Sequence, residues 1–296
     1  MFSIIIPTFN NLQYLKVCIS SIKKNSNFKH EIIPHINEGN DGTEEYLIKE
    51  NIKYTKTDYN SGICKGMNMA AKKSTTSYIL YAHDDFYFCP NWDRVLFEEV
   101  KKIPHNKFYL SGIMMNNGPL KINCGNSLKD FDEKKFLDEY NNIVHYDFQG
   151  STWAPHLIHK DLWNEVGGFS EEYFPGTGSD PDLNMKLWKR GVRIFKGINK
   201  FRVYHFGSIV TRKYKNHPTI KTESGSKGGK IFLLKWGITI NFFKKYILNS
   251  DKIFDGPLSD PTINIKYILR YCICKLNFFY VKYFYNFNNK IKINSK

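Results

Sequence analysis

Acid is what this chain is short of. Its 296 residues hold 28 Asp and Glu against 43 Lys and Arg, a formal net charge of +15. So basic a balance excludes a generally anionic surface and points to an anionic partner: a nucleic acid, a membrane face or a phosphorylated substrate. Lys, Asn and Ile codons are AT-rich, so genomic composition is the plain alternative source of the lysine excess, with the anionic partner the stronger physical inference. The six cysteines are scattered and form no C-x-x-C pair, which leaves a zinc site or a disulfide framework without support. Reduced thiols in a cytoplasmic protein are the expectation. No uninterrupted apolar run reaches the roughly 18 residues of a membrane span. The nearest stretch, 231–248, is broken by Lys235, Lys244 and Lys245. Met1 runs straight into Phe2-Ser3-Ile4 without the basic region or cleavage site of a signal peptide. No internal repeat is visible. Global disorder is excluded, because hydrophobic residues make up 42% of the chain.

What is present begins as an alternation. "FSIIIPTF" reads as a buried strand ended by Pro7. "NNLQYLKVCISSIKK" places Leu12, Leu15, Ile19 and Ile22 on one helical face, with Asn10 or Asn11 available as a cap. "HEIIPHI", "NIKYTKT" and "SYILYA" read as further strands, with a helix over "GICKGMNMAAKKS". Strand and helix in this rhythm predict a parallel sheet covered on both faces. Such sheets bind ligands beyond the carboxyl ends of their strands. At one of those ends stands His83-Asp84-Asp85. Adjacent carboxylates raise one another's pKa, so two of them closing an apolar strand need a reason. The plain reading is a cap or solvated turn, which Asp favours. The functional reading is a set of oxygen ligands for a hard divalent cation, Mg²⁺ or Mn²⁺. That cation shares the charge and neutralises phosphates.

Further along, helices are predicted over 91–102, 128–140, 160–169 and 179–191, the last with Pro181 in its first turn. "KFYLSGIMM", "STWAPHLI", "VRIFKG" and "KFRVYHFG" read as strands. Composition changes near residue 212: residues 216–296 carry fourteen Lys and Arg against four Asp and Glu. There "ESGSKGG" (223–229) reads as a flexible loop, a candidate for closing over a ligand. The stretches 231–248 and 263–287 are helix-length. In the second, Lys266 and Arg270 share a face while Lys275 and Lys282 fall roughly opposite. This basic, aromatic extension either packs on the preceding domain or lies on anionic headgroups.

Four patches in order carry a resemblance: "FSIIIPTFNNLQYLKVCISSI", "NEGNDGTEEYL", "NSGICKGMNMAAKKSTTSYILYAHDDFYFCPNW" and "DLWNEVGGFSEEYFPGTGSDPDLNMKLWKRGVRIFKGINKFRVYHFG". Together they resemble the family 2 glycosyltransferases of GT-A fold, over roughly residues 1–210. The resemblance implies an α/β fold with a Rossmann-like mixed sheet flanked by helices, plus a mainly helical C-terminal extension. It divides the chain into a catalytic domain, 1–212, and an extension, 213–296. Within the domain, 1–115 would bind nucleotide and 116–212 the acceptor. The implied activity moves a sugar from a nucleoside-diphosphate sugar to a polysaccharide, glycolipid or other glycan acceptor, with inversion and with Mn²⁺ or Mg²⁺. The implied place is the cytoplasm, peripherally on the inner face of a membrane.

Carried over by position, Pro7, Thr8, Asn10, Glu38, Gly62, Lys65 and Asp84 would contact the nucleotide. Glu38 stands where the family usually has Asp, and Met67 where it often has Arg. Asp84, Asp85 and His205 would hold the metal, and His83 replaces the first acid of a strict Asp-x-Asp motif. Asp180 would be the base. An inverting displacement needs a carboxylate to take the acceptor hydroxyl's proton opposite the leaving diphosphate, although Asp180 also suits an N-cap ahead of Pro181. Trp153 and Asp182 are candidate contacts to acceptor or sugar. The plain readings are core packing for Trp153, a first-turn charge for Asp182 and a surface place for His156. Two rivals stand beside this reading. One is a nucleic-acid-binding protein, motivated by the charge but lacking a basic-aromatic recognition signature. The other is a GT-A fold that binds nucleotide sugar without catalysis.

Overall fold

The computed structural model describes residues 1–207, 210, 224–250 and 252–285. Strands β1 (Ser3–Phe9), β2 (Glu31–Asn37), β3 (Thr55–Thr57) and β4 (Tyr78–Tyr81) alternate with helices α1 (Leu12–Asn25), α2 (Thr43–Lys49) and α3 (Gly62–Lys72). All four strands pair in parallel, in the order β3-β2-β1-β4. Ile4, Ile5, Ile6, Ile33 and Ile36 are fully buried, the unbroken burial that a sheet covered on both faces requires. Helix α1 begins after Asn11, whose side chain makes no capping bond. Asp41 supplies the cap from a neighbouring loop, accepting from the Leu12 amide at 2.8 Å.

The second half turns this parallel sheet into a mixed one. It comprises β5 (Phe86–Phe88), α4 (Trp92–Lys101), β6 (Phe108–Asn116), α5 (Glu133–Glu139), β7 (Phe148–Gln149), β8 (His156–His159), α6 (Lys160–Glu165), α7 (Ser179–Lys189) and β9 (Ile194–His205). The sheet continues β4-β8-β6-β9-β5. Strand β8 is antiparallel to both its neighbours, and β9 runs parallel to β6 but antiparallel to β5 and β7. This is the mixed, helix-flanked sheet that the resemblance implies. Three details differ from the sequence reading. The two closing strands are one, β9, bent where its register with β6 slips between Ser111 and Ile113. Strand β8 starts only at His156, so most of "STWAPHLI" is irregular. Strands β5 and β7, of three and two residues, are too short to show a period.

The extension contains α8 (Ser224–Trp236), α9 (Ile240–Phe242) running into a π-turn at Phe243–Ile247, and α10 (Ile265–Tyr280) running into another at Val281–Tyr285. The loop expected over 223–229 is helical from Ser224 onward; Glu223 lies outside the described residues. One of its glycines serves contact rather than flexibility. A Cβ on Gly228 would stand 2.0 Å from the Thr177 carbonyl oxygen, so only glycine lets α8 lie on that loop. Ile231, Phe232, Phe242 and Phe243 belong to the same buried cluster as Leu183 and Phe195. One core therefore runs across the compositional boundary near residue 212. No helix among the described residues is long and apolar enough to cross a membrane.

Candidate functional site

A cavity of about 400 Å³ opens at the carboxyl ends of the parallel strands, where doubly covered α/β sheets place their ligands. Pro7 and Thr8 of β1, Asn37 at the end of β2, Gly62 at the start of α3, Asp84 and Asp85 beyond β4, and His205 at the end of β9 form one side. Pro175, Gly176 and Thr177 form another. Gly62 ties the two sides together. Its φ is +78°, and a Cβ there would meet the Phe174 ring at 2.8 Å. The next amide, of Ile63, donates to the Pro175 carbonyl at 2.9 Å.

The acidic doublet splits in two. Thr8 Oγ1 donates to Asp84 Oδ2 at 2.7 Å, and burial together with the adjacent Asp85 pushes the Asp84 carboxyl up. Asp85 instead joins His83 and His205, whose ligating atoms all lie within 4.8 Å of one another. The chain turns at Asp84 and Asp85 beyond the end of β4, and the two carboxylates part company there. The sequence reading put Asp84, Asp85 and His205 on the metal; the structure groups His83 in place of Asp84. Burial lowers the His83 pKa to about 4, so its imidazole is neutral and able to ligate. His205 Nδ1 donates to the Asn117 carbonyl at 3.0 Å, and Nε2 lies 3.5 Å from Asp85 Oδ2. A carbonyl on the outer nitrogen is the usual support for a metal-binding imidazole. Two imidazoles and one carboxylate fit a first-row divalent cation, a donor set better suited to Mn²⁺ than to the harder Mg²⁺.

Asp180 sits in the first turn of α7, outside the residues that line the cavity. Gly178 occupies the N-cap position and brings no side chain to it; the Asp180 carboxyl interacts with its own backbone amide in that first turn. Its Oδ1 is buried without a hydrogen-bond partner, 3.8 Å from His156 Nδ1. Burial raises its pKa to about 7. Its charge acts on Tyr81, a residue of the cavity wall. His156 is fully buried rather than on the surface. Its ring lies in β8, beneath Tyr81 and Tyr109, with the Tyr109 hydroxyl 2.8 Å from Nδ1.

Other predicted residues lie outside the cavity wall. Asn10 and Glu38 face each other at 3.5 Å, both at positive φ, and Asn10 Oδ1 accepts from the Asn40 amide. Lys65 donates to the Tyr59 hydroxyl at 2.6 Å. Trp153 stacks on Phe148 at 5.0 Å, a packing that Gly197 permits, since a Cβ there would overlap the Phe148 ring. Asp182, offered as an acceptor contact, is fully buried. It accepts from Ser170 Oγ (2.6 Å), Tyr173 OH (3.2 Å), Trp236 Nε1 (2.8 Å) and Lys235 Nζ (3.1 Å). It fastens α8 to α7 and has no bond left for a ligand. The sequence reading missed Asn37, Tyr81 and the 175–177 loop. The signal for the loop was there in the P-G-T-G punctuation just before α7.

The glycosyl transferase family 2 model matches residues 3–154, just over half the chain. The chain belongs to glycosyl transferase family 2. It is a nucleotide-sugar-dependent glycosyltransferase. Among solved structures it is similar to S. aureus TarS 1-349, at 15% identity and a TM-score of 0.55, covering 98% of this chain and 75% of that one. The same fragment in complex with UDP-GlcNAc gives 14% identity and a TM-score of 0.56, covering 98% and 76%. Against the longer S. aureus TarS the figures are 13% and 0.52, and the chain covers 46% of it. At these identities the likeness is one of fold, and it is the GT-A fold. No curated protein matches the chain.

Proposed function

We propose that this glycosyltransferase inverts the anomeric carbon of a nucleoside-diphosphate sugar while transferring it to a glycan or lipid-linked acceptor, that it needs a divalent cation, and that it works peripherally on a membrane. The observation that carries the reading is the pairing of two unlike sites. A His83–Asp85–His205 cluster lies in the cavity wall, and Asp180, whose Oδ1 is buried without a hydrogen-bond partner, lies close to the wall residue Tyr81. A divalent cation bound at the cluster supplies the positive charge that a departing diphosphate requires. Pro7, Thr8 and Gly62, lining the same wall, suit the nucleotide. Two of the similar structures are complexes with UDP-GlcNAc and UDP, so a uridine donor is the first to try.

Asp180 is the proposed base. As the acceptor oxygen bonds to the anomeric carbon, the bond to the diphosphate breaks and its electron pair leaves with the phosphate. The hydroxyl proton passes to the Asp180 carboxylate. A carboxyl near 7 is matched to that task, because at neutral pH it is partly ionised yet basic enough to hold a proton. The test is a thermal-shift panel of UDP, GDP, CDP and dTDP sugars with and without Mn²⁺, followed by transfer assays of Asp180→Asn. Stabilisation by one nucleotide class that depends on Mn²⁺ is expected, with donor binding kept and transfer lost in the variant. An Asn variant that turns over at the wild-type rate would sink the assignment.

A further inference from the structure

Helix α10 has two apolar faces. Tyr267, Cys274, Phe278 and Val281 recur at helical spacing and turn inward, with Tyr267 against Phe242 at 5.0 Å and the Cys274 thiol 3.7 Å from Thr239 Oγ1. On the opposite face Ile265, Ile268, Leu269, Leu276, Phe279 and Tyr283 are exposed, Ile265 by 76% and Leu276 by 70%. At about 100° per residue the four cations fall between these faces. Lys275 and Lys282 lie along one edge of the outer stripe, and Lys266 and Arg270 along the other. The cations that look scattered in the sequence are thus a double border to an exposed apolar strip.

We infer that the outer face of α10 docks on an anionic lipid surface, lying in the plane of the bilayer with its apolar strip among the acyl chains and its two rows of cations at the headgroups. Charge decides between lipid and a second copy of the chain. Residues 261–296 contain no Asp or Glu, so pairing two such helices sets cation rows against each other without a counter-charge. Anionic headgroups supply that charge on both flanks. The outer strip is built of side chains that the fold does not use, on a helix that the fold holds firmly from its other side. The inference deepens the proposed membrane reading and rests on it for the enzyme's place of work. Its test uses no transfer activity, so either reading can fail alone.

The full chain is sedimented with vesicles of phosphatidylcholine, or of phosphatidylcholine mixed with phosphatidylglycerol, at low and high salt. Binding to the mixed vesicles alone, weakened by salt, is expected. Replacing three cations (K266Q, R270Q, K282Q) should lower partitioning by about fivefold each, on the order of a hundredfold together. Replacing exposed apolar residues (L269S, L276S, F279S) should abolish it while leaving the thermal midpoint and donor binding unchanged. Three outcomes overturn the inference: no binding to either vesicle, equal binding to both, or a dimer in sedimentation equilibrium that the apolar variant dissolves.

Discussion

Replacing Asp180 by Asn should destroy transfer and stabilise the protein, and the size of the gain should depend on pH. One carboxyl oxygen, Oδ1, is buried without a partner, and desolvation lifts the pKa to about 7 against an ordinary 3.8. Between those values the folded state binds a proton that the unfolded state has released. Stability therefore falls as pH rises through that window, and the full cost is present above about pH 7. The full difference is worth at most about 4 kcal/mol. Water reaches the side chain, which is 25% exposed, so about 2 kcal/mol is the better figure. Asn carries no charge at any pH and avoids that cost. The neighbours are silent between pH 5 and 8: burial holds His156 down to about 3, lifts Cys64 to about 12 and raises Tyr81 and Tyr109. Urea titrations of both proteins at pH 4.5 and pH 8, in chelator, should give a gap of about 0.5 kcal/mol at the lower pH and about 2 kcal/mol in favour of Asn at the higher. A gap that is absent, or equal at both pH values, would falsify the claim that this carboxylate is burdened in the fold. The same titration predicts a rate for the wild type that falls tenfold per pH unit below about 7.

Three further changes probe the rest of the site. His83→Ala should weaken Mn²⁺ binding by at least about tenfold in calorimetry, and Asp84→Asn should weaken it less; the reverse order would return Asp84 to the ligand set. Asp182→Ala leaves the Lys235 ammonium and the Trp236 indole without their acceptor, and should cost about 3 kcal/mol in denaturant unfolding. A change within experimental scatter would show that the extension is not fastened there. Gly228→Ala gains about 1 kcal/mol in helix propensity, yet its Cβ falls 2.0 Å from a backbone oxygen. The clash should win, lowering the melting temperature, and a stabilised variant would contradict the close packing of α8 on the 175–177 loop.

The parallel half of the sheet was legible because it is local: each strand is a short apolar run, and each crossover helix has a clean period of its own. The acidic doublet at a strand's carboxyl end was legible for the same reason. What the sequence hid was set by contacts distant in the chain. Asp84 pairs with Thr8, 76 residues away, and stands apart from the His83–Asp85–His205 cluster. His156 reads as a polar surface residue until β8 is seen wedged between β4 and β6. The glycines at 225, 228 and 229 spell a loop by composition, and only the nearness of Thr177 shows why one of them stands in a helix. Likewise the cations of α10 make no sense around a single apolar stripe and become orderly once its inner face is known to be covered.

The short stretch Asp180-Pro181-Asp182 shows how the fold divides labour between two like residues. Asp182 faces into the protein and receives four hydrogen-bond donors, two of them from α8. Asp180, two positions earlier, has a buried oxygen with none. Solvating the first by protein groups anchors the opening turn of α7, and a rigid turn is what allows the second to be held in a place that it would otherwise leave for water. The anchor belongs to the extension, through Lys235 and Trp236, and α8 rests on the same 175–177 loop that walls the cavity. Loosening the extension should therefore act on the base before it acts on the nucleotide side, which is built from β1, β4 and β9. In Asp182→Ala, transfer should drop while Mn²⁺-dependent nucleotide binding persists. Parallel loss of both would mean that α8 supports the whole cavity and not the acceptor half alone.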